Sequence, residues 1–246
     1  MNVFKTLQER GLFEASTNPT LEQELEKPIT MYAGFDPSND SLQAGNFVTI
    51  MALCHFQRAG HKVLALVGGA TGLIGDPSGK STERNLLTEE QVEKNLVGIK
   101  ENLSRFIDFG KGDNAAVMVN NYDWHKQFTF ISYLRDVGRY FRMSSMLGKE
   151  SVKARLNSES GMSFTEFCYQ TLQGYDFLHL YDQYQCRLQI GGSDQWGNIT
   201  AGTDLIRRQR GVEAYGLTFP LVTDSQGRKF GKSEGKSLCL PNESTT

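Results

Sequence analysis

Short apolar segments alternate along this chain with segments of helical length, and this alternation constrains the fold more than any other sequence feature. The first group is strand-like at residues 29–34, helix-like at 45–59 and strand-like again at 62–67. Later strand-like segments lie at 115–119, 187–190 and 217–222, and helix-like segments lie at 128–137 and 195–207. This alternation predicts an α/β fold with a mostly parallel sheet covered by helices on both faces.

Capping boxes mark the starts of two further helices. Thr88 and Gln91 form the first pattern, and Ser163 and Glu166 form the second, which opens a predicted helix that runs to about residue 181. The apolar face expected for the first of these helices consists of Val92, Leu96, Ile99, Leu103 and Phe106. The start of the chain, residues 1–11, is expected to be a polar, amphipathic helix.

The composition narrows the class of protein. The chain has 246 residues, a formal net charge of -2 and 39% apolar residues, which is typical of one soluble globular domain. This charge excludes a uniformly basic nucleic-acid surface but not a local phosphate-binding patch. The four cysteines include no CxxC pair, and no apolar run approaches the roughly 18 residues of a membrane span. We therefore expect a cytoplasmic protein with no metal site, disulfide framework or membrane anchor.

Ligands of open parallel sheets bind beyond the carboxyl ends of the strands. The turns that follow Ala33, Val67, Asn120 and Ile190 are therefore expected to hold the functional residues. Glycines and unusual polar residues are concentrated in those turns, which favours a binding site there.

A glycine-rich segment follows the second predicted strand. Residues 67–81 read VGGATGLIGDPSGKS, and the five glycines allow the backbone to approach a ligand closely. Neither common phosphate-binding motif fits. Ile74 stands where a P-loop needs its first glycine, and the spacing of Gly69, Gly72 and Gly75 differs from GxGxxG. A tight turn without a ligand is the alternative interpretation.

The helix that opens at Ser163 carries a polar stripe. Tyr169, Gln173 and Asp176 are spaced by four and then three residues, so they share one helix face. A phenol, an amide and a carboxylate on one face could hold a small ligand that bears an ammonium or hydroxyl group. A solvated helix face is the alternative, and the spacing alone does not decide between them.

Two later segments also have the chemistry of a nucleotide site. Residues 191–198 (GGSDQWGN) close a predicted strand and open a helix, a junction that suits a ribose or a phosphate. Residues 228–233 (RKFGKS) place three cations around a glycine, and mobile cations of this kind can stabilise charge on a triphosphate. A short basic surface loop is the alternative interpretation of the second segment.

Together these segments resemble the bacterial class I tyrosyl-tRNA synthetases over nearly the whole chain. The matching blocks are residues 32–37 (YAGFDP), 66–81 (LVGGATGLIGDPSGKS), 120–124 (NNYDW), 163–167 (SFTEF) with Tyr169 and 172–177 (LQGYDF), and 188–200 (LQIGGSDQWGNIT). Five blocks in the same order exclude a chance match. The resemblance implies a Rossmann-like nucleotide-binding fold and the activity of an ATP-dependent tyrosine-tRNA ligase.

The resemblance also implies which side chains hold tyrosine. The implied tyrosine-binding residues are Tyr32, Asp76, Tyr169, Gln173, Asp176 and Gln195. Tyr32 and Asp176 would bind the phenolic hydroxyl, and phenylalanine would leave both groups unpaired. Asp76, Tyr169 and Gln173 would hold the ammonium group, and Gln195 would also border the adenylate.

A second implied set binds and activates ATP. The ATP-binding residues would be Gly34, Asp36, Ser38, Gly45, Gly192, Asp194, Lys229, Lys232 and Ser233. The residues implied to act in catalysis are Gln43, Asn46, Lys80, Arg84, Lys229 and Lys232. Lys80 and Arg84 would neutralise pyrophosphate, and Lys232, helped by Lys229, would stabilise the transition state. Mg²⁺ would accompany ATP without a dedicated set of protein ligands.

The signature motifs match the family to different degrees. Residues 229–233 (KFGKS) are similar to the family's KMSKS loop. Residues 43–46 (QAGN) stand where the family has HIGH, so both histidines that donate to the ATP phosphates are missing. The amides of Gln43 and Asn46 can still donate, and Gly45 leaves room for the nucleotide. The chain's histidines are His55, His61, His125 and His179, and each is expected to have a structural or surface role.

The resemblance implies tyrosine, ATP and tRNA(Tyr) as partners, and a homodimer formed through residues 128–146. Residues 1–246 are expected to be the catalytic domain alone, including the KMSKS-like loop at 229–233. The family's anticodon-binding and S4-like domains are then absent, and transfer to tRNA is expected to be impaired. The alternative is a non-catalytic tyrosine- or nucleotide-binding relative that has lost activity through the QAGN segment.

Overall fold

The computed structural model describes residues 2–37, 42, 44–78, 87–159 and 161–222. The strands are β1 (Ala15–Ser16), β2 (Thr30–Phe35), β3 (Lys62–Val67), β4 (Val117–Asn120), β5 (Cys186–Gly192) and β6 (Tyr215–Phe219). The first helices are α1 (Val3–Glu9), α2 (Leu21–Glu24), α3 (Phe47–Arg58), α4 (Gly69–Ile74), α5 (Glu89–Ser104) and α6 (Tyr122–His125). The later helices are α7 (Phe130–Asp136), α8 (Met143–Leu147), α9 (Glu150–Leu156), α10 (Phe164–Tyr184) and α11 (Trp196–Arg210). Short 3₁₀ segments lie at Ala44–Asn46, Gly138–Tyr140 and Ser193–Gln195.

In the described ranges the strands form one sheet in the order β1-β6-β5-β2-β3-β4. Neighbouring strands are parallel, except that the two-residue β1 runs antiparallel to β6 at one edge. The expected α/β fold with a mostly parallel sheet is confirmed. β2 and β5 lie side by side although they are far apart along the chain, and this reversal in strand order is where such sheets bind ligands.

Helices cover both faces of the sheet, as predicted. Successive side chains of a strand point to opposite faces. Met31, Ala33 and Phe35 of β2 therefore join one buried cluster with residues of α1, α3 and α5, whereas Tyr32 joins a second cluster with residues of α10 and α11. None of the helices that the structure describes is both long and apolar enough to cross a membrane.

The start of α10 is fixed by a capping box and a buried ion pair. The Ser163 side chain accepts from the backbone N–H of Glu166, and the Glu166 carboxylate accepts from the backbone N–H of Ser163. That carboxylate also accepts from Arg155 at 2.8 and 3.1 Å, and both side chains are 4% exposed. Removal of either partner would leave an uncompensated buried charge. The ion pair therefore joins the start of α10 to α9.

The predicted segments are found as strands and helices, with ends shifted by a few residues. The last strand differs most, because β6 spans Tyr215–Phe219 rather than 217–222. Pro220 follows this strand and has no N–H with which to continue the ladder. Leu221 and Val222 instead line a cavity at the carboxyl ends of β2 and β5.

One expectation was wrong in detail. Phe106 does not belong to the apolar face of α5, because that helix ends at Ser104. The Phe106 ring is 37% exposed and packs edge to face on Phe47 of α3, with centroids 5.9 Å apart. The alternative interpretation of the glycine-rich segment as a simple tight turn does not hold, because part of the segment forms α4. A Cβ at Gly72 would lie 2.9 Å from Pro37 Cγ, so the glycine allows α4 to pack against the end of β2.

Glycine also allows α10 and α11 to pack closely. A Cβ at Gly202 would lie 2.9 Å from both Cβ and Cδ1 of Phe177, whereas a Cβ at Gly197 in the same helix would meet nothing closer than Lys149 Cδ at 3.4 Å. Both changes to alanine gain helix propensity of about 1 kcal/mol. We expect Gly202→Ala to be less stable than Gly197→Ala by about 1–3 kcal/mol, since overpacking forces α11 away from Phe177. Urea unfolding measures this difference, and equal stabilities would contradict the close packing.

Candidate active site

A cavity of about 290 Å³ opens at the carboxyl ends of β2 and β5, where the strand order predicts a ligand site. The predicted site residues that line it are Tyr32, Gly34, Asp36, Gly45, Asn46, Asp76, Tyr169, Gln173, Asp176, Gly192, Asp194 and Gln195. The structure therefore brings together every predicted site residue that it describes. The other predicted site residues lie outside the described ranges: Ser38, Gln43, Lys80, Arg84, Lys229, Lys232 and Ser233.

The carboxylate of Asp176 lies deep in the cavity, and its side chain is only 1% exposed. It accepts three hydrogen bonds from one short segment of chain. Trp124 Nε1 and His125 Nε2 each lie 2.8 Å from Oδ1, and Asn121 Nδ2 lies 3.0 Å from Oδ2. The chain therefore satisfies most of a buried carboxylate with hydrogen-bond donors, as burial requires.

Tyr32 of β2 lines the same cavity, near enough to the α10 residue Asp176 to feel its charge. Its side chain is 1% exposed, and its hydroxyl has no hydrogen-bond partner among the described residues. Burial, and then the negative charge of Asp176, raise the pKa of Tyr32 well above its usual value, so the hydroxyl keeps its proton. A protonated hydroxyl without a partner beside a carboxylate can bind a ligand group that both donates and accepts.

A second polar group in the cavity surrounds Asp76. Its Oδ2 accepts from Gln195 Nε2 at 2.7 Å, and its Oδ1 accepts from the backbone N–H of Ser78 at 2.9 Å. Gln173 of α10 donates to Gln195 Oε1 at 3.3 Å, and Asn198 of α11 also lies within 3.4 Å of the Asp76 carboxylate. Gln173 of the α10 polar stripe is thus joined through Gln195 to Asp76 and Asn198, which excludes the interpretation of a solvated helix face.

Asp36 is joined to the Asp176 group through Thr71 and also binds Tyr169. The hydroxyl of Tyr169 donates to the Asp36 carboxylate at 3.3 Å, and Thr71 Oγ1 donates to it at 3.3 Å. Thr71 in turn accepts from Asn121, which donates to Asp176. One hydrogen-bonded network therefore runs from the end of β2 through α4 to α10.

The lining determines what the cavity can bind. Carboxylates come from Asp36, Asp76, Asp176 and Asp194, and the described lining contains no lysine or arginine. Such a surface suits a ligand with an ammonium group and a hydroxyl donor. The described lining also contains no cysteine or histidine nucleophile, and the described residues contain no group of three or more metal-ligating side chains.

Sequence reasoning did not identify the residues that support Asp176. Asn121 and Trp124 lie in the NNYDW block, but no role was assigned to them, and His125 was expected only to be structural or at the surface. Gln189 also lines the cavity, and its buried Oε1 has no partner among the described residues. Their positions in the sequence could have indicated a role in the site. Asn121 directly follows the end of β4, and Gln189 lies within β5.

The doubly wound, mostly parallel sheet has a polar cavity at the ends of its strands. This arrangement is typical of the Rossmann-like class of nucleotide-binding α/β proteins. Residues 23–246 match the family described as tRNA synthetases class I (W and Y), and the chain belongs to this family.

Named relatives agree with this assignment. A tyrosine-tRNA ligase of Protochlamydia amoebophila is 60% identical over 239 residues, which cover 97% of this chain and 56% of that protein. A tyrosine-tRNA ligase of Flavobacterium johnsoniae is 55% identical over 249 residues, which cover 100% of this chain and 58% of that protein. The chain therefore spans a little over half the length of these relatives.

Solved structures show the same fold. A C-terminally truncated mitochondrial tyrosyl-tRNA synthetase of Coccidioides posadasii is 29% identical, with a TM-score of 0.80 over 93% of this chain and 69% of that one. A tyrosyl-tRNA synthetase of Archaeoglobus fulgidus, solved with L-tyrosine, is 19% identical, with a TM-score of 0.69 over 96% of this chain and 70% of that one. The second likeness concerns the fold alone.

Proposed function

We propose that this chain is the catalytic part of a tyrosine-tRNA ligase. It would activate L-tyrosine with ATP to tyrosyl-adenylate and pyrophosphate, and transfer the tyrosyl group to tRNA(Tyr). The observation that carries this proposal is a buried pair in the cavity: the Asp176 carboxylate and the Tyr32 hydroxyl, which lacks a hydrogen-bond partner in the described structure. The names of the relatives support the same reaction.

The pair suits a phenolic hydroxyl. The substrate hydroxyl donates to Asp176 and accepts from the Tyr32 hydroxyl, so all three groups are satisfied. Phenylalanine fills the same space but leaves the carboxylate and the hydroxyl with unmade hydrogen bonds, which costs about 1–3 kcal/mol for each buried group. The pocket therefore selects tyrosine through polar groups rather than through shape.

The second polar group suits the ammonium end of the amino acid. Asp76 carries the charge that an ammonium needs, and the Tyr169 hydroxyl and the Gln173 amide oxygen can accept its other N–H bonds. These groups come from the segment after α4 and from α10. Tyrosine bound at both ends is oriented for reaction of its carboxylate.

In the proposed reaction a carboxylate oxygen of tyrosine attacks the α-phosphorus of ATP. The bond from that phosphorus to the bridging oxygen breaks, and pyrophosphate leaves. Gly34, Asp36, Gly45, Gly192 and Asp194 would border the nucleotide. Lys80, Arg84, Lys229 and Lys232 would neutralise the phosphates, with Ser38 and Ser233 beside them, and Gln43 and Asn46 would donate amide hydrogen bonds. Mg²⁺ would enter bound to the ATP phosphates.

A second candidate function is a tyrosine- or nucleotide-binding protein without activity. The observation that favours it is QAGN at residues 43–46, where the family has two histidines. Tyrosine-dependent exchange of labelled pyrophosphate into ATP separates the two candidates. Exchange well above background supports the ligase, whereas tyrosine binding without exchange supports the inactive relative.

Asp176→Asn keeps the shape of the side chain but removes its charge, so we expect it to weaken tyrosine binding about tenfold to a hundredfold, the scale of a hydrogen bond to a charged group. Isothermal titration with tyrosine measures this change. The control is Asp182→Asn on the same helix, because Asp182 pairs with Arg210 near the surface. Unchanged tyrosine affinity in Asp176→Asn would refute the proposed hydroxyl site.

Lys232→Ala should slow tyrosine activation by about 2–4 kcal/mol of transition-state free energy, the scale of a lost donor to a developing negative charge. Tyrosine affinity should be nearly unchanged, since the lysine acts on the phosphates. Single-turnover kinetics separates the two effects, with Lys94→Ala on the exposed face of α5 as the control. An equal loss of tyrosine affinity would contradict this role.

We also propose that the chain forms a homodimer through residues 128–146. In this region Phe130, Ile131 and Leu134 of α7 and Met143 of α8 are 44–70% exposed. Contiguous exposed apolar side chains are typical of a protein interface, and a second copy of the chain would bury them.

Ile131→Asp should raise the dimer dissociation constant by about thirtyfold or more, because it places a charge within the apolar contact. Val97→Asp is the matched control, since Val97 is 61% exposed on α5, outside this region. Sedimentation velocity over a concentration series measures the dissociation constant. A wild-type chain that remains monomeric at all concentrations, or an Ile131→Asp variant that dimerises normally, would refute the proposed interface.

A further inference from the structure

We infer that His125 is a positioning residue for hydroxyl recognition: its Nε2–H fixes the carboxylate of Asp176, so that one remaining acceptor position faces the tyrosine hydroxyl. This inference rests on the proposed function and extends it to a residue that does not line the cavity. The family resemblance assigned no role to this histidine.

The His125 ring lies beside Oδ1 of the Asp176 carboxylate. His125 Nε2 lies 2.8 Å from Asp176 Oδ1, and the two side chains are 8% and 1% exposed. The ring packs against Tyr175, with centroids 5.7 Å apart, and lies at the end of α6. Bulk water therefore has little access to this contact, and the low exposure strengthens the hydrogen bond.

The direction of the hydrogen bond follows from the chemistry of its partner. An ionised carboxylate only accepts hydrogen bonds, so the proton of the contact must lie on His125 Nε2. Trp124 donates to the same Oδ1 atom, and Asn121 donates to Oδ2. Among the described residues, the donors to Asp176 all come from the segment 121–125.

A carboxylate has about four acceptor positions. Of the donors in the described part of the chain, two occupy Oδ1 and one occupies Oδ2, which leaves one position on Oδ2 for a ligand. The hydroxyl of tyrosine needs one acceptor in a fixed direction. Without His125, Oδ1 would regain an open position, and the carboxylate could turn or bind water rather than present Oδ2 to the ligand.

His125 is also the member of this donor set that can be replaced most cleanly. Asn121 additionally accepts from the backbone N–H of Ala70 and donates to Thr71, so its loss would disturb α4. Trp124 belongs to the buried core cluster. For the His125 ring, Asp176 is the one hydrogen-bond partner within the described residues.

The test compares His125→Met with His125→Gln. Glutamine places an amide N–H near the position of Nε2, whereas methionine has similar length and no donor. The control for aromatic packing is His179→Met, because His179 stacks on Trp124 at 4.3 Å but makes no hydrogen bond to Asp176 in the described structure. Each variant is measured by pyrophosphate exchange with tyrosine and with phenylalanine, by tyrosine titration and by thermal unfolding.

We expect His125→Met to raise KM and Kd for tyrosine about threefold to tenfold, less than Asp176→Asn because the carboxylate itself remains, with kcat within about threefold of wild type. Phenylalanine should be affected little, so the preference for tyrosine should fall by a similar factor. His125→Gln should restore most of the affinity, and His179→Met should keep the preference for tyrosine.

Three results would overturn the inference. These are unchanged tyrosine affinity in His125→Met, equal losses in the Met and Gln variants, or a parallel loss for tyrosine and phenylalanine that follows the change in unfolding temperature. Failure of the proposed function is distinguishable, because the wild-type chain itself would then show neither tyrosine binding nor exchange.

Discussion

A buried negative charge at Asp176 is the constraint on which much of this structure depends. An isolated carboxylate at that depth would be unfavourable, and the chain offsets the cost with donors from Asn121, Trp124 and His125. Those donors require α6 to lie against α10 just beyond the end of β4. Because the Asp176 carboxylate needs hydrogen-bond donors from the protein, the segment that follows β4 must pack against α10.

The rest of the cavity follows from the same packing. α10 starts at a buried ion pair between Arg155 and Glu166, and its close contact with α11 depends on the absence of a side chain at Gly202. These two features place Tyr169 and Gln173 opposite Asp36 and the Asp76 network. The positions of the cavity side chains on α10 therefore depend on contacts that lie outside the cavity.

The sequence predicted the strands and helices well, but it predicted the contacts between distant residues incompletely. Strand and helix alternation is a local pattern, so the parallel sheet and its helices were predictable apart from their ends, and Pro220 explains the largest shift. The spacing of Tyr169, Gln173 and Asp176 showed a shared face, but its burial depends on α4 and α11, and only the family resemblance favoured a pocket. The contact of His125 with Asp176 joins residues 51 positions apart, and no periodicity reports such a pair.

The cavity walls come from distant parts of the chain. The hydrogen bond from Tyr169 to Asp36 spans 133 residues, and the one from Gln195 to Asp76 spans 119. Such contacts form only when most of the domain has assembled, because closing long loops is entropically unfavourable until the sheet and helices are in place. A small molecule held at both walls would bind the assembled chain and not its partly folded forms, so occupancy would raise the melting temperature of the whole unit and protect it from proteolysis.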